Sequence, residues 1–330
     1  MLPVLILAYK RYDLLEQIFE SLRKYKPNKL YIAVDGPKGI DDVEFCTKVK
    51  ENSIHLIDWE CNVQTLFRNE NLGCGKAVSS AIDWFFDNVD EGIILEEDCL
   101  PSLDFFYYCE KMLSFYRDDI KVKHISGCNF VGGLNSKSSF GFSKFASIWG
   151  WATWKRAWKE YQFELPFKEL IEFKERLLPF CSNDFNQLFF WTKGYEHSTT
   201  SSYDSWDFQW QISIWLNQGV CIYPTRNLIK NIGFHEDALH TKNTLSPLAK
   251  LPLESFSTKG LKKKEIILDS QFDDFIFYYV HQELFDINKG EIKKLKIAIE
   301  PSLFQKILDR KYTLRDKLYL LRSYYKFKKK

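Results

Sequence analysis

An α/β fold built on a mostly parallel, doubly wound sheet is predicted by three features of the chain. Apolar runs of strand length alternate with amphipathic helical stretches four times in about the first hundred residues, a rhythm that needs parallel strands joined by right-handed crossover helices. The run Gly92-Ile93-Ile94-Leu95 carries no polar side chain, as expected of a strand covered on both faces. Three carboxylates, Glu96-Glu97-Asp98, follow it without a break, and the carboxyl ends of strands in an open α/β sheet are where ligands bind.

Residues 3–8 form the first apolar run, Tyr9-Lys10-Arg11-Tyr12 the turn after it. Asp13 precedes an amphipathic helix to about Lys24, with Leu14, Leu15, Ile18, Phe19 and Leu22 on its apolar face. Residues 30–34 are the second strand, broken by Asp35-Gly36-Pro37, and residues 40–58 a helix of mixed polarity. A short third strand covers 64–68. The loop Asn69 to Lys76 leads to a helix over 77–86 and then to the acidic strand, which Pro101 forbids to continue. Arg11, Asp35 and Asp98 thus sit at the carboxyl ends of three different strands. Asp35 alone reads as an Asp-Gly turn. The acidic triplet alone reads either as a divalent-metal site for a phosphorylated ligand or as a solvated acidic turn.

Beyond Pro101, residues 104–116 are helical and 122–127 a further strand. The Gly/Ser-rich stretch 132–141 reads as a mobile loop. In residues 146–154, Trp149 and Trp151 share a face only if the segment is extended. One face is then core and the other a pocket wall, which makes Trp151 a candidate nucleotide-sugar contact. Residues 166–193 read as two helices, 197–202 as a polar loop, 205–217 as a helix, 219–224 as a strand and 231–241 as a turn-rich loop. Asp207 falls in a first helical turn, where the helix dipole favours a carboxylate. His235 and His240 are spaced wrongly for a helical zinc motif.

Composition bounds the function. At 330 residues the chain predicts one main domain of about 240 residues plus an appendage. A net charge of +2 excludes a protein whose whole surface binds nucleic acid. The eight cysteines show no C-x-x-C pair or zinc spacing. Neither a basic, apolar leader nor a bilayer-length apolar run is present. Both observations predict a reduced, cytoplasmic protein whose thiols mostly fill the core. Composition turns lysine-rich near Lys242, so the domains are expected as 1–241 (halves 1–100 and 101–241) and a basic extension, 242–330. Leu314, Leu318, Leu321 and Tyr325 recur at helical spacing among the charges of its end. That pattern fits either a membrane-surface or partner-binding tail or a solvated helix packed on the domain.

The segments Pro3-Val4-Leu5-Ile6 with Arg11, Val34-Asp35-Gly36, and Glu96-Glu97-Asp98 with Asp104-Phe105-Phe106 resemble the nucleotide-sugar glycosyltransferases of the GT-A fold, the N-acetylglucosaminyltransferase I family among them. Gly150-Trp151, Trp206-Asp207, Pro224 and Gly233-Phe234 extend the likeness in order. Asn71-Leu72-Gly73-Cys74-Gly75-Lys76, residues 149–154 and 231–241 are similar to bacterial nucleotide-diphospho-sugar transferases of polysaccharide gene clusters. The resemblance covers about residues 1–241. It implies a Rossmann-like, mostly parallel GT-A sheet flanked by helices, with a helical C-terminal appendage. It further implies that Asp98 ligates Mn²⁺ or Mg²⁺, and that Glu96 and Glu97 help through water or ribose. Arg11 and Asp35 would hold the nucleotide, Lys76 would lie near the diphosphate or base, and Asp207 would be the general base. A departure is Glu-Glu-Asp where many relatives carry Asp at the first or middle position.

The resulting expectation is an inverting transferase moving a sugar from a UDP-type donor to a hydroxyl of a glycan or lipid-linked acceptor. A bound cation would neutralise the leaving diphosphate and a carboxylate would take the acceptor's proton, with Asp204, Glu236 and Asp237 as fallback bases. A sugar-nucleotide pyrophosphorylase would need a glycine-rich loop after the first strand, and Tyr9-Lys10-Arg11-Tyr12 has no glycine. A non-catalytic carbohydrate-binding protein would keep the Trp segments without needing the acids.

Overall fold

A computed structural model of the protein describes residues 1–131, 140–181, 184–199, 204–234 and 246–281. The first half is β1 (Val4–Ala8), α1 (Tyr12–Tyr25), β2 (Lys29–Val34), α2 (Ile40–His55), β3 (Asn62–Phe67), α3 (Gly73–Asn88) and β4 (Glu91–Glu96). There follow β5 (Cys99–Pro101), α4 (Leu103–Tyr116), β6 (Val122–Ser126), β7 (Phe140–Ser143), β8 (Trp151–Trp154) and α5 (Lys155–Trp158). The last elements are α6 (Leu170–Leu177), α7 (Phe185–Ser198), α8 (Asp207–Leu216), β9 (Val220–Pro224), β10 (Ile229–Asn231) and α9 (Ser270–Phe275).

The main sheet runs β3-β2-β1-β4-β8-β6-β9-β7. β1 pairs in parallel with both β2 and β4, and β2 with β3. β8 is antiparallel to β4 and β6. The predicted class therefore holds: a mixed, mostly parallel, Rossmann-like sheet flanked by helices. Chain order reverses between β1 and β4, because β2 and β3 lie on one side of β1 and β4 on the other. That crevice is the topological switch point.

Local chemistry explains the elements. α1 buries Leu15, Ile18, Phe19, Leu22 and Tyr25, a stripe three and four residues apart. It starts one residue before Asp13, with Arg11 as its N-cap residue. Extended structure ends at Pro101 as expected, but in a separate short strand and not in the acidic one. β4 stops at Glu96, and Cys99–Pro101 forms a separate antiparallel ribbon with β10, where proline's missing N–H is tolerated at a free edge.

Trp151 is a correction. It is fully buried, stacked on His124 at 4.9 Å and on Trp206 at 5.6 Å, so it is core and not a ligand wall. Gly150 adopts φ +62, which breaks the strand alternation that would have put Trp149 and Trp151 on one face. Trp149 instead packs edge-on against Phe130 and Phe234. Within the aromatic core, burial pushes His124 down to about 3, so it is neutral. Trp210 Nε1–H donates to its Nδ1, and an indole only donates, which leaves the ring proton on Nε2, facing the Ser147 carbonyl at 3.1 Å.

The compact unit runs from Met1 to Val280 instead of ending at 241. Residues 246–281 are tied down by Glu254 on the Asn227 amide, by Tyr116 Oη on the Lys264 backbone, and by Phe272 stacked on Tyr223 at 3.5 Å. The predicted loop 132–139, the loop 235–241 with Glu236 and Asp237, and the basic tail beyond His281 lie outside the described residues.

Ser143 Oγ and the Lys144 amide both donate to buried Asp273. Burial nevertheless raises that carboxyl to about 6. Its folded value exceeds its unfolded one, so this contribution is full below about pH 4 and is lost as pH rises through 6, up to about 3 kcal/mol. Asp273→Asn keeps an acceptor oxygen and should abolish that slope. Denaturation midpoints of the two proteins, compared from pH 4 to 8, should diverge only at the upper end, with the variant the more stable; parallel curves would refute this.

Candidate active site

The switch point gathers residues from β1 and β4. Glu97, almost fully buried, accepts the Tyr9 amide at 2.7 Å and Arg11 Nε at 2.8 Å, with the Arg11 amide at 3.4 Å. Its carboxylate is thus directed at the turn after β1 and holds that turn to β4. Arg11 also donates from Nη2 to Asp98 Oδ2 at 2.8 Å. One guanidinium fork joins both acids, a planar geometry that lysine cannot reproduce. Gly233 closes the arrangement, since a Cβ there would stand 2.2 Å from Asp98 Oδ2 and 2.7 Å from Arg11 Nη1. The Asp98 carbonyl accepts the Ile232 amide, so the β5–β10 ribbon delivers that glycine.

Glu96 differs from its neighbours. Its backbone pairs with β1, but its side chain makes no hydrogen bond or ion pair among the described residues. Burial first, then the charges of Asp98 and Asp207, push its carboxyl up to about 8, against a smaller opposing pull from Arg11. Glu96 thus sits above the ordinary carboxylate range, and it senses acids from two separate segments. Asp207, half-buried at the start of α8, accepts a hydrogen bond from Ser205 Oγ.

Asp35 is tied inward. Its carboxylate accepts the amides of Gly36 and Leu72 and the Asn71 Nδ2, and burial raises its pKa. Gly36 lies so close to the Glu70 backbone that a Cβ would meet it at 2.3 Å. The turns after β2 and β3 are locked together by these contacts, and Asn71, whose role was not foreseen, is half of the lock. Lys76 is exposed in the first turn of α3.

Asp204, expected as a spare base, accepts the Cys74 and Gly75 amides at 2.6 Å each. It caps α3. Cys74 stands amid Glu96, Asp207, Asp204 and Asp35, and burial and those charges raise its thiol pKa. Six of the eight thiols are buried, Cys61 and Cys74 being partly accessible.

Among the described residues no group of three or more His, Cys, Asp or Glu is arranged to hold a metal ion. The donor set still suits a hard cation that arrives with phosphate, because such ions take one or two carboxylates and complete their shell from the ligand. Among the described residues the Glu96 side chain has no hydrogen-bond partner, and Asp98 Oδ1 meets only the Cys99 thiol at 3.4 Å.

No family model and no curated protein matches the chain. Solved structures match distantly. HddC from Yersinia pseudotuberculosis is 16% identical, over 51% of this chain and 85% of that one, with a TM-score of 0.31. The same protein complexed with GMP-PN gives 16% identity, the same coverage and a TM-score of 0.35. S. aureus TarS 1-349 is 11% identical, over 69% of this chain and 59% of that one, with a TM-score of 0.38.

Proposed function

We propose that the protein is an inverting, metal-dependent glycosyltransferase that moves a sugar from a nucleotide-diphosphate donor, UDP-linked by preference, to a hydroxyl of a glycan or glycolipid acceptor in surface polysaccharide synthesis. The observation that carries this reading is the convergence of Glu96 and Asp98 from the end of β4 with Asp207 from α8, at the switch point and beside a pinned arginine. Glu96 and Asp98 would hold Mn²⁺ or Mg²⁺, which when bound offsets charge on the departing diphosphate. Arg11 would offer its guanidinium to the donor phosphates. Asp35 and Asn71 shape the nucleoside wall, and Lys76 supplies long-range attraction for the anionic donor.

Transfer is one displacement. Asp207 takes the proton of the acceptor hydroxyl as that oxygen bonds to the anomeric carbon. The bond from that carbon to the diphosphate oxygen breaks, its electron pair leaves with the nucleoside diphosphate, and the anomeric centre inverts. Ser205 holds one Asp207 oxygen, leaving the other for the proton. A pyrophosphorylase fits less well, because the Tyr9 and Arg11 amides that would cradle a triphosphate are engaged by Glu97. No described helix is long and apolar enough to cross a membrane. The basic tail would bring the catalytic unit to an anionic cytoplasmic membrane surface, near a lipid-linked acceptor.

A thermal-shift screen of UDP-, GDP-, dTDP- and CDP-sugars, each with and without Mn²⁺, tests the assignment. At a hundredfold excess over its dissociation constant, the right donor adds about 2.7 kcal/mol. One nucleotide class should raise the melting temperature, and only with metal present. A flat screen would remove the assignment.

A further inference from the structure

The Gly73-Cys74-Gly75 turn opens α3, and a side chain from a distant segment fills it. Gly73 takes φ +78, and a Cβ on it would lie 2.4 Å from Asp204 Oδ2. On Gly75 a Cβ would lie 2.9 Å from Asp204 Oδ1 and 2.9 Å from the Ser205 carbonyl. Both glycines are therefore required by the carboxylate that sits there. Its two oxygens take the amides of Cys74 and Gly75 at 2.6 Å, short charge-assisted bonds at a helix N-terminus, where the dipole favours an anion. α3 is anchored in turn by buried Ala77, Val78, Ala81, Ile82 and Phe85, so Asp204 is fastened to a rigid body of the donor half.

Only Ser205 and Trp206 separate that fastening from Asp207. Ser205 is buried and donates its hydroxyl to Asp207 Oδ1. Trp206 stacks on Trp151 in the aromatic core. The three residues before α8 are thus fixed at three points, and Asp207 has little freedom to move relative to Glu96. From this geometry we infer that Asp204 is a positioning residue: it fixes the Asp207 carboxylate opposite the donor by pinning the start of α8 to the N-terminus of α3. The inference rests on the transferase reading for the role of Asp207. The pin itself does not depend on that reading.

Asp204→Asn keeps one acceptor oxygen and Asp204→Ala none, so a graded response is expected. Two readouts are taken on the full chain. One is the rate of Cys74 alkylation by iodoacetamide, followed on its own peptide by mass spectrometry. The other is release of nucleoside diphosphate, with water as acceptor, from whichever sugar nucleotide stabilises the native protein, together with that donor's dissociation constant. Alkylation should quicken about tenfold in Asp204→Ala as the α3 N-terminus opens. Turnover should fall at least tenfold in Asp204→Asn and further in Asp204→Ala, while donor affinity stays within about threefold. Unchanged turnover with a lowered melting temperature would reduce Asp204 to a helix cap and overturn the inference. So would a loss of affinity equal to the loss of turnover. If no sugar nucleotide stabilises the native protein, the transferase reading fails, and alkylation decides the pin alone: faster supports it, unchanged refutes it.

Discussion

Asp207→Asn should leave donor binding intact and remove transfer, lowering turnover by about 10²- to 10⁴-fold, the range of positioned general bases. Asparagine has the same shape and can still accept from Ser205 Oγ, so the start of α8 should not move. What disappears is the ability to take a proton, together with one of the three charges that raise Glu96. Donor affinity should therefore hold or tighten slightly when a cation accompanies the nucleotide. Turnover of the variant within a few-fold of native would assign the base elsewhere. Asp204 is the wrong candidate to inherit it, since both of its oxygens are occupied at α3.

Arg11→Met should be the most damaging single substitution at the site. The methionine replaces the cation that joins Glu97 and Asp98, both of them buried residues. Removing one partner of a buried ion pair leaves charge without compensation. With Arg11 itself about one-third exposed, solvent softens the loss to about 2–4 kcal/mol. The turn after β1 would lose its side-chain tie to Glu97, and the donor phosphates would lose their guanidinium. Chemical denaturation should show the drop in stability, and no sugar nucleotide should then raise the melting temperature. Arg11→Lys should recover part of the stability but little of the binding, because an ammonium cannot bridge two acids as a fork does. Native-like stability in Arg11→Met would show that the two acids are solvated well enough to need no partner.

The sheet was legible because buried parallel strands and amphipathic helices write different periods into the chain. Residues 92–95 lie within β4 and 3–8 contain β1, and the residues at their ends define the switch point. Arg11 and Asp98 were readable from position alone, one strand end each. The division of labour inside the acidic triplet was not. Three adjacent carboxylates look equivalent in sequence, yet the turn after β4 sends Glu97 toward the Tyr9 and Arg11 amides, while Glu96, at the end of the strand, feels the charges of Asp98 and Asp207. Trp151 misled because the expected alternation ignored Gly150, whose positive φ rotates the two indoles apart. Asp204 and Asn71 were missed as anchors, since their partners are 129 and 36 residues away and no local period records such pairings. The boundary at 241 followed a change in composition, whereas residues 246–281 are held by hydrogen bonds and a ring stack that lysine content does not reveal.

The central claim is that a donor's diphosphate and a divalent cation are held together by Glu96 and Asp98. Electron paramagnetic resonance of free Mn²⁺, titrated with protein in the presence and absence of UDP, measures this directly. The account predicts that native protein with UDP removes more free Mn²⁺ than the sum of protein alone and UDP alone, and that Asp98→Asn abolishes the excess. Equal uptake by native and Asp98→Asn protein, or no excess with UDP or with any other nucleoside diphosphate, would contradict it.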